Sequence, residues 1–297
     1  MNPRSGLTLA YVLVVGCGAG AQPALDAARP MDAAVESEAP SDNDAAIDAG
    51  PSRPHAWSMG YYAGWEKDRL PVDAIDWGGL SELAIAFYLP HDDGSLDETL
   101  SSDATSGPAL ARALVAAAHA HGLKILASIG GADSGPSFEA ATGAPTETTF
   151  ISNLIALYDK YGFDGLDIDW EPLSVSDQPA AIAIANQLRA ARPGILMTMP
   201  IGAVNGNTPG DLSGFPAIAV AYQQLNVMTY GLSNSYPGWK SWHSSPMRYV
   251  DSATPASVDD SVSAYLGVGV PAAQLGIGIG FFGLCYTPPV RAPDQAL

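Results

Sequence analysis

"FDGLDIDWE", residues 163–171, sets four carboxylates into an apolar stretch, and its alternation decides how the chain folds. In a β-strand successive side chains point to opposite faces, so Asp167, Asp169 and Glu171 share one face while Leu166, Ile168 and Trp170 share the other. An apolar face packed beneath helices and an acidic face turned inward describe a strand that ends in a site. A single acid in such a place could close a solvent-facing strand or contribute to a plain cation site. Three at i, i+2 and i+4 point to chemistry, because burying charge without a partner is costly. Carboxylates this close cannot all ionise, so a proton is shared and at least one pKa rises, with Glu171 outermost as the candidate general acid.

Outward from this strand, short apolar runs at 59–65, 82–90, 124–131, 165–171, 195–202, 225–232 and 275–283 alternate with helical stretches at 108–122, 146–162, 178–194 and 257–269. Strands separated by helices indicate repeated βα units on a parallel sheet. No Gly-rich phosphate fingerprint follows the first strand, and polar residues recur at strand C-terminal ends. That pattern favours a (β/α)8 TIM barrel over an open doubly wound sheet. The expected fold class is α/β, a barrel with about seven strands present and incomplete at the C-terminus, the eighth unit needing about forty further residues. An unclosed barrel is expected to expose two sheet edges and to be unstable or aggregation-prone.

The 297 residues carry a formal net charge of −18, which argues against nucleic acid or an anionic membrane as partner and suits a neutral or cationic ligand. At the N-terminus, "MNPRSGLTLAYVLVVGCGAG" (1–20) places Arg4 before an apolar run from Leu7 to Val15, then Gly16 and Cys17. The run is too short to span a bilayer and resembles a bacterial lipoprotein signal, in which Cys17 becomes the lipidated first residue. An ordinary secretory signal with a chance cysteine is the alternative, and both export the protein. The expected organisation is a signal at 1–17, a disordered acidic Ala/Asp/Pro-rich tether at 18–55 and a folded domain at 56–297. Any membrane contact is expected only through a lipid on Cys17. The other cysteine, Cys285, then has no partner within the chain, and nothing near it has metal-ligand spacing.

"DGLDIDWE" (164–171) matches the DxxDxDxE signature of glycoside hydrolase family 18, "SIGG" (128–131) matches its SxGG motif, and "VMTYG" (227–231) resembles its MxY motif. With three motifs in order, the chain resembles a bacterial chitinase of that family over about residues 57–290. The resemblance implies retaining, substrate-assisted hydrolysis of β-1,4-linked N-acetylglucosamine polymers such as chitin, with no metal and no organic cofactor. By the same resemblance Glu171 is the acid and then the base, Asp169 orients the acetamido N–H, Asp167 holds or shares the proton behind it, and Tyr230 bonds the acetamido oxygen. Met228 packs against the sugar ring, and Tyr61 and Ser128 fall where the family supports the acidic column; plain packing is the alternative for these last two. Trp239 and Trp242 lie on a loop where indole can stack on sugar or simply anchor the loop. Gly231 stands where the family often has Asp, and nothing beyond Trp242 can supply the Trp that members commonly place on strand eight. An endo-β-N-acetylglucosaminidase acting on N-glycans and a non-catalytic chitin-binding lectin of the same fold are the competing readings.

Overall fold

The computed structural model describes residues 12–16, 56–207, 209–233, 238–248, 251–282, 285–286, 290 and 292–295. Cys17 and the acidic tether lie outside the described residues. Seven parallel strands carry the fold: β2 (Ser58–Ala63), β3 (Glu82–Pro90), β5 (Lys124–Gly131), β6 (Gly165–Trp170), β7 (Leu196–Gly202), β8 (Gln224–Met228) and β9 (Leu275–Gly280), each hydrogen-bonded to the next. A two-residue strand, β4 (Leu96–Asp97), pairs antiparallel with the end of β3. The expected incomplete (β/α)8 barrel is therefore present, with strand bounds within a few residues of the alternation pattern.

The two edges expected to be bare are not. Residues Val12–Gly16 form β1, antiparallel to β9 on one side and to β2 on the other, so the ring closes through the apolar run expected to serve as an export signal. The physical reason is the one that makes open edges a liability: two rows of unpaired N–H and C=O groups are satisfied by any apolar segment that can extend between them.

The connecting helices are α1 (Ser106–Ala120), α2 (Gly135–Thr142), α3 (Glu147–Tyr161), α4 (Gln178–Ala191), α5 (Phe215–Ala221) and α6 (Val258–Gly267). Between β2 and β3 the helix is replaced by three 3-10 turns, Gly64–Glu66, Val72–Ala74 and Trp77–Gly79. Local chemistry starts and stops these elements. The Asp103 carboxylate accepts the N–H groups of Thr105 and Ser106 at the head of α1, Ser257 caps α6 by accepting from Asp260 N–H, and Gly162 ends α3 in a left-handed conformation at φ 74°. Alternation does the rest: Leu166, Ile168 and Trp170 join the core between sheet and helices, with Phe150, Leu154 and Leu157 of α3 presented at helical spacing.

Trp170 is clamped by Phe138 of α2, whose ring stacks on it at 4.7 Å and 9° and meets Phe150 edge-on at 5.9 Å. Phe138 is fully buried. Phe138→Ala is expected to cost about 3–5 kcal/mol, the transfer and cavity terms of a buried aromatic, read from urea unfolding of the full chain. A loss below about 1 kcal/mol would mean that this packing does not hold β6 in place.

Candidate active site

Register explains how the acid column is built. Ser128 on β5 lies directly beside Asp167 on β6, and Asp167 directly beside Thr198 on β7. Asp167 accordingly accepts the Ser128 hydroxyl at 2.8 Å and the Tyr61 hydroxyl at 3.0 Å on one oxygen, and the Thr198 hydroxyl at 2.5 Å on the other. Tyr61 arrives from β2, so four strands converge on one carboxylate. Complete burial pushes the Asp167 carboxyl up, and the three hydroxyl donors oppose that rise.

One layer higher, Asp169 is 4% exposed and has no comparable set of donors. Burial, then the neighbouring Glu171 and Asp167 charges, hold its carboxyl well above the usual carboxylate range. The interaction between the two carboxyls raises Asp169 and lowers Glu171. Asp169 Oδ1 is buried with no partner. Glu171 follows the last residue of β6 and is likewise raised by burial, with a further push from Asp133. The two acids form one titrating unit that keeps a proton at the mouth of the barrel.

Tyr230 faces the same column, its phenol pushed up by burial and then by Asp169, Glu171 and Asp167. Its ring lies against the β9 backbone at Gly278, where an added Cβ would sit 2.7 Å from it. β8 ends at Met228, so Tyr230 lies just past the strand rather than on it, while Met228 stays partly exposed at the strand end. The SxGG motif has a steric basis. Gly130 sits at φ 103°, and a Cβ there would come within 2.3 Å of the Asp169 carbonyl oxygen, so only glycine lets β5 approach the acid column this closely.

Around the mouth the aromatic residues separate into different places. Trp239 lines a cavity of about 270 Å³ with Ala203, Asn205, Gly231, Leu232 and Ala256. Trp242 instead lines a cavity of about 250 Å³ with Ser241, Tyr286, Val290, Ala292 and Pro293, and packs on His243 at 5.1 Å. The two residues, expected on one loop, thus line different cavities, and Ser241 between them is buried and bonded to the backbone of Ala292, Asp294 and Gln295. At Gly231, φ is 65° and nothing lies within 4 Å of an added Cβ, so space does not forbid the family Asp.

Several participants escape the sequence reading. Thr198 was legible as the one hydroxyl on the inward phase of an apolar strand. Asp133 and Ser134 lie on the turn after β5, where no periodicity marks them. Trp65, 44% exposed just past the C-terminal end of β2, stacks on Phe87 at 5.9 Å and 28°. The first acid of the motif, Asp164, is not in the site: its carboxylate accepts Ile125 N–H at 2.9 Å and meets His119 Nε2 at 2.9 Å at the start of β6. The fourth carboxylate thus ties strand to helix and stands apart from the column formed by the other three. Cys285 is exposed and unpaired. Among the described residues, no group of three or more His, Cys, Asp or Glu is placed to hold a metal ion.

The chain as a whole has counterparts among known proteins. A "chitinase-like effector" of the fungus Moniliophthora perniciosa is 27% identical over 77% of this chain and 56% of its own length. "Chitinase 1" of Aphanocladium album is 27% identical over 54% of this chain and 41% of its own length. The chain therefore spans about half the length of these curated relatives. Among solved structures, the Ostrinia furnacalis Group IV chitinase with allosamidin superposes with a TM-score of 0.63 at 23% identity, over 74% of this chain and 64% of that one. The chitinase-like agglutinin of Robinia pseudoacacia superposes at 0.60 and 25% identity, over 74% and 68%. These relatives are fungal, insect and plant proteins, so the likeness extends beyond bacterial chitinases. The sequence profile of the glycosyl hydrolases family 18 matches residues 58–291, and the chain belongs to that family.

Proposed function

We propose that this protein is a chitinase that hydrolyses β-1,4-linked N-acetylglucosamine polymers with retention, using the substrate's own acetamido group as nucleophile. The observation that carries this reading is the buried Oδ1 of Asp169, left without a partner beside the proton-sharing Glu171. In this reading a protonated Asp169 donates to Glu171 through its other oxygen, and Oδ1 is left as an acceptor of the kind an acetamido N–H requires. Glu171 protonates the glycosidic oxygen as the bond from the anomeric carbon to it breaks, and the acetamido carbonyl oxygen bonds to that carbon. The proton Glu171 gives is the one the pair shares, passed from Asp169 to Glu171 beforehand, so an aspartate is left beside the positive charge of the oxazolinium ion. A water molecule attacks the same carbon as its bond to the acetamido oxygen breaks, which regenerates the amide, and the water gives one proton back to the carboxylate pair. In this reading Tyr230, Met228, Trp239 and the Trp65–Phe87 pair bound the space a sugar chain would occupy, and Trp242, which lines a separate cavity, anchors its loop. Export with lipid anchoring at Cys17 is also proposed, and cleavage before Cys17 would remove Val12–Gly16, so a mature lipidated chain would lack β1 and carry the two open edges.

A second reading, a chitin-binding lectin, is favoured by Gly231 at the family Asp position and by the effector and agglutinin names of two relatives. Fluorophore release from a chitobioside by the full chain, beside pull-down on chitin, separates the two. Release supports the chitinase; chitin binding by a folded chain with no release supports the lectin; release from glycoprotein N-glycans but not from chitin would instead make it an endo-β-N-acetylglucosaminidase.

A further inference from the structure

Glu171 stands where the sheet can no longer hold it. Pairing of β6 with β7 ends at Asp167, and pairing with β5 ends at Trp170, so the backbone of the acid has no ladder partner on either side. The turn after β5 supplies one. Ser134, 8% exposed, accepts Glu171 N–H on its hydroxyl oxygen at 3.3 Å and donates that hydroxyl to the Asp169 carbonyl oxygen at 3.1 Å. The next residue, Gly135, donates its N–H to the Glu171 carbonyl oxygen at 2.8 Å. Ser134 is itself fixed, its N–H donating to Gly131 O at 3.1 Å. A two-residue hook therefore takes over from the sheet where the catalytic pair begins.

We propose that Ser134 is a positioning residue for Glu171, holding the peptide groups on either side of Trp170 so that the Glu171 carboxyl stays buried against Asp169. The inference rests on the reading of Glu171 as the acid, and it explains how a residue beyond the end of its strand keeps a fixed distance from one within it. Near-attack geometry is sensitive to displacements of about 1 Å, so loosening this hook reaches the rate directly. The charged and titratable groups facing Glu171 are Asp169 from β6, Asp133 from the same turn as Ser134, and Tyr230 from the segment after β8. Ser134→Ala removes none of them. It frees Glu171 to move toward solvent, and with less burial its pKa falls toward the ordinary carboxylate range.

Ser134→Ala in the full chain is expected to lower kcat about 10- to 100-fold with little change in KM, and to move the alkaline limb of the pH–rate profile to lower pH. Carbon-13 NMR titration of the Glu171 carboxyl, assigned by its loss in Glu171→Gln, reads the same displacement without any substrate. A role confined to stability would lower the melting temperature and leave both the titration and the kcat of the folded protein unchanged; that result overturns the proposal. If the Ala variant does not fold, Ser134→Cys, which keeps the side-chain volume and weakens both hydrogen bonds, is read by the same two measurements. A wild-type chain that hydrolyses nothing, with a Glu171 titration that still shifts in the variant, overturns the chitinase reading and retains the positioning role.

Discussion

Glu171→Gln is expected to lower the rate of fluorophore release from a chitobioside by about 10²- to 10⁴-fold and to leave chitin binding by the full chain unchanged. The amide keeps the shape of the side chain and its backbone hook at Ser134 and Gly135, but it has no proton to give to the leaving oxygen. It also cannot accept one from water in the second step. The loss should therefore appear in kcat, since ground-state contacts to the sugar are unchanged. A variant within about threefold of the wild-type rate would mean that another group is the acid, as threefold is far below what general acid catalysis contributes. The neighbouring Asp133 and Asp169 would then be the residues to examine.

Asp169→Asn should separate stability from activity. In the folded protein burial and two neighbouring carboxylates hold Asp169 well above the usual range, so the native state keeps a proton that the unfolded chain has released. Where the native state binds more protons, stability falls as pH rises. The stability that the protonated Asp169 contributes is complete below the unfolded pKa of about 4 and is lost as pH rises through the raised folded value. Asparagine is neutral throughout and can donate to Glu171 as the protonated acid does. The variant is thus expected to melt several degrees above wild type at neutral pH, with the gap closing near pH 4. Activity moves the other way, by about 10²- to 10³-fold, because an amide cannot become the anion that faces the developing positive charge. Equal melting temperatures across that pH range would show that Asp169 is not held protonated.

Much of this site could be read from alternation alone. The three inward acids follow from period 2 in β6, and the register of adjacent strands then makes Ser128 a neighbour of Asp167 without further information. Tyr61 sits on the inward phase of β2, and its bond to Asp167 needs only the barrel to bring the strands together. Alternation says nothing of what happens beyond a strand end. Ser134 and Asp133 lie on a turn, and their placement depends on the closeness that Gly130 permits between β5 and the Asp169 carbonyl. The division of Trp239 from Trp242 goes with a buried Ser241 bound to residues about fifty positions away, which no local pattern encodes. The short helices α2 and α5 and the 3-10 turns in the first unit escaped for a related reason, being too short for a helical period to show. The closure of the ring by β1 is a tertiary solution to open edges, and the apolar run that provides it reads equally as a signal.

The most direct test of substrate-assisted chemistry at this column is the anomeric configuration of the first product. Proton NMR of chitooligosaccharide hydrolysis by the full chain, recorded before mutarotation, should show the β-anomer at the newly formed reducing end, because two successive displacements at the anomeric carbon restore its configuration. Initial appearance of the α-anomer would contradict the mechanism, since a single displacement by water would then have taken the place of the acetamido group.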